Sequence, residues 1–203
     1  MATKTIIYRP TEDSKHNDYA ASSGSNVYAM VNEAVADDDS TYASGSSSDS
    51  FFVIAYYTPP ANATYVSSRL VARAKVESGD ATMLLELQGS TSTTTSGATY
   101  ISLKDLKSAL STTYTDYSLD CVNPAGYPHL RFSISHTSSG KGTIRVTQIY
   151  YEVTYEVPDS TLIKQNGAWA ELAGTIYQKQ NGVWVEVDAS ALADGDEYMI
   201  VNA

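Results

Sequence analysis

Apolar and polar residues alternate along most of the chain. Between residues 66 and 76, Val66, Ser68, Leu70, Ala72, Ala74 and Val76 share one parity, while Ser67, Arg69, Arg73 and Lys75 share the other. Successive side chains of a strand point to opposite faces, so this period of two predicts a half-buried strand, which Val71 alone interrupts. Comparable runs span Lys4 to Tyr8, Val27 to Val31, Phe51 to Tyr57, Thr82 to Leu87, Thr99 to Leu103, Thr113 to Cys121, Leu130 to His136 and Ile144 to Val157. The stretches between them are rich in Gly, Ser, Thr, Asn and Asp, as turn segments should be. In the last run the apolar parity changes near Thr147, from Ile144 and Val146 to Ile149, Tyr151, Val153, Tyr155 and Val157, and a β-bulge would absorb the extra residue. One segment reads differently. Leu103, Leu106, Lys107 and Leu110 recur at helical spacing and predict a short helix over Ser102 to Leu110.

Strands without βαβ alternation predict an all-β, antiparallel jelly-roll β-sandwich over residues 1–158. Parity places Leu70, Ala72, Ala74, Val76, Leu85, Leu87, Leu119, Cys121, Phe132 and Ile134 inside it. Beyond Pro158-Asp159-Ser160 the pattern changes. Residues 159–203 contain one phrase twice, Lys164-Gln165-Asn166-Gly167-Ala168-Trp169 and Lys179-Gln180-Asn181-Gly182-Val183-Trp184. Asn-Gly between alternating runs predicts a two-residue hairpin turn, so the tail reads as a small C-terminal β-hairpin meander. Such hairpins are too small to fold alone, so Trp169 and Trp184, with Tyr177 between them, are the expected assembly or ligand contacts.

Charge narrows the partners. Thirteen Lys and Arg against 23 Asp and Glu give a net charge of −10, a field that repels phosphate backbones and anionic membranes. No stretch of the first residues has signal-peptide length, and Phe51 to Tyr57 is too short to span a bilayer, so a soluble protein made in a cytosol is expected. The single cysteine, Cys121, excludes an internal disulfide and reads as a buried structural thiol. His16, His129 and His136 are scattered without metal spacing, and no nucleophile elbow, phosphate loop or metalloprotease motif occurs, so no enzyme is expected. Sixteen Tyr against three Phe suits binding surfaces, with Tyr42, Tyr56, Tyr57, Tyr65, Tyr114 and Tyr127 as candidates to stack on a sugar ring.

The run Ala36-Asp37-Asp38-Asp39-Ser40-Thr41-Tyr42, together with the final Arg145-Val146-Thr147-Gln148-Ile149-Tyr150-Tyr151-Glu152-Val153, resembles the galactose-binding-like jelly rolls, a family of carbohydrate-binding and discoidin-type modules. The tandem Lys-Gln-Asn-Gly-x-Trp phrase resembles the hairpin repeats that end many small virion proteins of tailed phages infecting Gram-positive bacteria. The first resemblance implies a structural calcium in the acidic loop, with Asp37, Asp39 and Thr41 in the matching positions and Gln148 where a late-strand Glu commonly completes the shell. A solvated loop without metal is the competing reading of the same three aspartates. Together the resemblances imply a non-enzymatic structural protein of a bacteriophage particle, a head decoration, fibre or small tail component, made in the bacterial host cytoplasm. Its implied partners are its own copies and other virion proteins. The alternative is a receptor- or glycan-binding module at the phage tail tip, with a host-surface glycan as partner.

Overall fold

The computed structural model describes the chain except residues 1, 16, 47–48, 78, 93, 96–97, 138–141, 158–161, 166–167, 172–174, 181–182, 188–197 and 202–203. In the tail it describes side-chain burial at 178–180 and 184–186 only. The chain forms two compact units, Met1–Val157 and Pro158–Ala203.

The first unit is an antiparallel jelly-roll β-sandwich. Its strands are β1 (Ala2–Tyr8), β2 (Glu12–Asp13), β3 (Ala20–Ala21), β4 (Ala43–Gly45), β5 (Ser50–Tyr56), β6 (Thr64–Val76), β7 (Thr82–Ser90), β8 (Ile101–Ala109), β9 (Thr115–Asp120), β10 (His129–His136) and β11 (Ile144–Val157). One sheet has the order β3-β4-β11-β6-β9, with β1 added to β11, and the other has the order β2-β5-β10-β7-β8. The alternating residues of β5, β6, β7, β10 and β11 meet between the sheets. Phe51, Val53, Leu70, Ala72, Leu85, Leu87, Phe132, Ile134 and Ile149 are wholly buried there. Every residue that parity placed inside is buried except Cys121, which is half-buried at the rim with its Sγ 3.1 Å from the Leu119 carbonyl. Burial still pushes its thiol up to about 11, so it stays protonated and inert.

Three bulges explain where parity and structure part. The first is at Thr147, where the pairing of β11 with β6 skips one residue. A second skip, between Thr154 and Tyr155, leaves Val66 unpaired on β6, and Val66 is accordingly exposed although its parity matches the core. The third overturns the predicted helix over Ser102 to Leu110, which is the strand β8. Leu87 of β7 faces Lys104 and Gln88 faces Ser102, so Leu103 is the extra residue. The bulge resets the parity, and Leu103 and Leu106, three apart, both pack on the core. A spacing of three, which on a helix marks one face, here marks an irregular strand.

Val27 to Val31 is not a strand either. It holds a 3-10 turn, Tyr28–Met30, because the Asp13 carboxylate accepts the backbone N–H groups of Val27 and Tyr28 at 2.8 and 2.7 Å. Val27 and Val31, on either side of the turn, are both buried.

The second unit contains β12 (Leu162–Gln165), β13 (Ala168–Glu171), β14 (Thr175–Gln180), β15 (Val183–Val187) and β16 (Tyr198–Val201). β12 pairs with β13, and β14 lies between β15 and β16, all antiparallel. Lys164 faces Trp169 and Lys179 faces Trp184, so both hairpins keep one register. Their Asn-Gly turns lie outside the described residues.

Candidate functional site

The second sheet presents an outer face whose composition departs from that of an ordinary solvated sheet. Residues of even number on β5 and β7 and odd number on β10 point outward, and the register places them in rows. Tyr56, His129 and Ser90 form one row, and Ile54, Arg131 and Gln88 the next, extended by Glu12 of β2. Phe52, Ser133 and Glu86 form the third, and Asp105 of β8 faces Glu86. An outward residue is normally wet, yet Ile54, His129 and Ser133 are each 3% exposed and Ser90 is 2% exposed. Neighbouring side chains therefore cover these residues, and Phe52, Glu86, Gln88 and Arg131 around them are half-buried.

Arg131 stands at its centre. Its guanidinium carbon lies 4.5 Å from the centroid of the Phe52 ring and 4.4 Å from that of Tyr100, so the cation is held between two aromatic faces. Its Nε donates to Gln88 Oε1 at 2.5 Å, and the Gln88 amide donates in turn to Glu86. Burial lowers the pKa of Arg131 from its ordinary value, and the charges of Tyr100 and Glu86 oppose that shift. Burial likewise raises the Tyr100 hydroxyl, against the pull of Arg131. Two polar atoms of this face, the Tyr100 hydroxyl and His129 Nδ1, are buried without a hydrogen-bond partner. Leaving such a group unanswered costs about 1–3 kcal/mol. Tyr56 closes one end, 53% exposed, with its ring edge-on to His129 at 4.9 Å and its hydroxyl 3.5 Å from Glu12.

Of the six tyrosines proposed from sequence, Tyr56 alone belongs to this face. Tyr57 is in the core, where its hydroxyl accepts from Tyr155 at 2.7 Å. Tyr65 bonds to Ser68 and to the Cys121 carbonyl, and Tyr127 packs over Gly89. Tyr42 and Tyr114 lie under cations, Arg145 over the first at 4.3 Å and Lys75 over the second at 4.3 Å. Much of the tyrosine excess thus fills the sandwich. Tyr19, Tyr57, Tyr151 and Tyr155 are all buried. Phe52, Tyr100, His129 and Arg131 escaped the sequence reading; their outward parity was visible, but the convergence of β5, β10 and the segment before β8 was not.

The acidic loop is elsewhere. Asp37 Oδ1 accepts from the Thr41 amide at 3.0 Å and from its hydroxyl at 2.9 Å. Asp39 turns to the other sheet, where its carboxylate receives Lys75 at 2.7 Å and Arg145 at 3.1 Å. Asp37 and Asp39 therefore serve different partners, and the Asp39 carboxylate already faces two protein cations. Among the described residues no group of three or more His, Cys, Asp or Glu side chains suits a metal. The residues do not fit the expected calcium site.

In the tail, Trp184 is half-buried with Lys179 Nζ 5.6 Å from its ring centroid. Trp169 and Tyr177 are placed on β13 and β14 by their backbones, and their side chains lie outside the described residues.

No family profile and no curated protein matches the chain. Solved structures give loose likenesses. A CBM4 structure is 10% identical with a TM-score of 0.42, covering 73% of this chain and 86% of that one. A family 29 carbohydrate binding module from Piromyces equi is 14% identical with a TM-score of 0.38, covering 75% and 91%. The CBM22-1 and GH10 modules of a Clostridium thermocellum xylanase complexed with xylohexaose are 14% identical with a TM-score of 0.39, covering 76% and 30%. At these scores the reading of the outer face rests on its own geometry.

Proposed function

We propose that the β-sandwich is a non-catalytic binding module for an uncharged glycan, received by the outer face of the second sheet. The observation that carries this reading is the open ring of Tyr56 beside the partly exposed polar side chains of Arg131, Gln88 and Glu86, aligned in rows on one sheet face. Sugar rings offer apolar C–H faces to aromatic rings and hydroxyls that both donate and accept. Arg131, Gln88, Glu86 and Glu12, all partly exposed, supply both kinds of partner. Two cations, Arg131 and Lys107, face three carboxylates, Glu12, Glu86 and Asp105, on a chain of net charge −10, so an anionic polysaccharide is disfavoured.

Glu86 and Asp105 stand opposite each other on β7 and β8, and paired carboxylates can hydrolyse glycosidic bonds. Their position argues for binding instead. Asp105 is exposed on an edge strand and Glu86 is engaged by Gln88. The matched Lys–Trp registers of the tail suit attachment, and we extend the proposal to a module displayed on a larger assembly, self-associated or part of a phage particle.

Affinity electrophoresis against a panel of neutral and acidic soluble polysaccharides tests the site. Retardation by a neutral polymer is expected, lost in Tyr56→Ala and Arg131→Ala and kept in Tyr114→Ala on the other sheet. Binding that survives both substitutions would move the site elsewhere, and release of reducing sugar that Glu86→Gln abolishes would make the protein a hydrolase.

A further inference from the structure

The loop of residues 33–41 is surrounded by donors on both sides. On its inner side the Glu33 carbonyl accepts from the Gln148 amide at 2.7 Å and from the Arg9 guanidinium, and the Thr41 carbonyl accepts from Thr147 Oγ1 at 3.0 Å. On its outer side Asp38 takes Arg73 through two bonds, at 2.6 and 3.0 Å, while Asp39 takes Lys75, Arg145 and the Tyr114 hydroxyl. Arg73 also reaches Asp116 of β9, and Arg145 reaches Glu77 after β6. The Thr41 hydroxyl lies 2.7 Å from Glu33 Oε1 and 2.9 Å from Asp37 Oδ1. Calcium needs six to eight oxygens free to turn toward it. Here the backbone oxygens face N–H and O–H donors and the outer carboxylates face protein cations.

We propose that this loop is clamped by the chain's own cations and amide donors at the place where the sequence likeness implies calcium, so that its anchoring is independent of divalent metal. Gln148 is the telling residue. A Glu there would bring an acceptor toward the Glu33 carbonyl, whereas the amide brings a donor, and Thr147, lifted out of the ladder by its bulge, does the same for Thr41. Asp38 holds φ +54°, a left-handed conformation uncommon for a side-chain-bearing residue, and the two bonds from Arg73 hold it there.

Thermal melting of the full chain, in EDTA and then in millimolar calcium, is the first measurement, with calorimetric titration of calcium beside it. Equal melting temperatures and no binding heat are expected. Lys75→Met should lower the melting temperature by about 1–4 °C at low salt, a loss that shrinks toward 1 M salt as the Debye length falls to about 3 Å. Gln148→Glu should lower it in either buffer. Asp39→Asn, which removes the negative charge that Lys75 and Arg145 face and leaves the sheet untouched, serves where Gln148→Glu does not fold. A calcium-dependent rise in the wild-type melting temperature overturns the proposal, as does a Lys75→Met protein as stable as the parent at low salt.

Discussion

Single atoms decide much of this sandwich. A Cβ built on Gly45 would fall 2.2 Å from the ring of Tyr19, which is 4% exposed and wedged against Phe51 at 5.3 Å between centroids. Gly45→Ala should therefore destabilise the fold by at least about 1–3 kcal/mol, read as a lower urea midpoint with unchanged slope. The buried tyrosines carry a second test. Tyr151 donates to Ser68 Oγ at 2.7 Å, and burial raises its hydroxyl pKa. Tyr151→Phe keeps the ring and deprives Ser68 of a donor, at a cost of about 1–2 kcal/mol. None of these contacts could be read from the residues alone. Tyr19 and Gly45 come from different strands and loops, and a strand residue such as Arg131 carries no mark of the two rings that will flank it.

At the scale of elements, the period of two located the long strands well because each buries one face. The failures share one cause, a local interaction that overrides periodicity. Asp13, 14 residues before Val27 and 15 before Tyr28, caps the Tyr28–Met30 turn and removes Val27 to Val31 from the sheets. Asp13→Ala should cost about 0.5–2 kcal/mol, and hydrogen exchange at Val27 and Tyr28 should rise well before exchange in β10. The β8 bulge shows the same lesson from the other side, since one inserted residue turned a strand's signature into that of a helix. Of the candidate site, sequence supplied Tyr56 and the idea of an aromatic platform, and register supplied its neighbours.

For the whole molecule, charge sets the response to acid. The hydrogen bond from Arg73 holds Asp38 below its ordinary value of 3.8, and that from Lys75 does the same for Asp39. A carboxylate whose folded pKa is depressed contributes stability that is complete above its unfolded value and fades as pH falls through the folded one. The melting temperature should decline from about pH 6.5, where His136, held by burial below its ordinary value of 6.5, binds protons more readily unfolded, and fall further below about 4, and Lys75→Met should flatten part of that second fall. Division into two units carries a further expectation. A chain ending at Asp159 should keep the near-ultraviolet dichroism and cooperative melting of the sandwich, while loss of self-association on truncation would locate the assembly contacts within residues 160–203, and substitution of Trp169, Trp184 and Tyr177 would then test those residues.

The pairing of β1 with β11 runs from Ala2 opposite Val157 to Tyr8 opposite Tyr151. Entry to the sandwich and exit from it therefore share one rung of a ladder, about 5 Å apart. A body whose two ends coincide can be spliced into a surface loop of another protein without stretching its host. The same closure leaves the ring of connections free to be cut elsewhere. A circular permutant joined across Ala2 and Val157 by a short glycine linker, and opened between β8 and β9, should fold and keep the outer face of its second sheet intact.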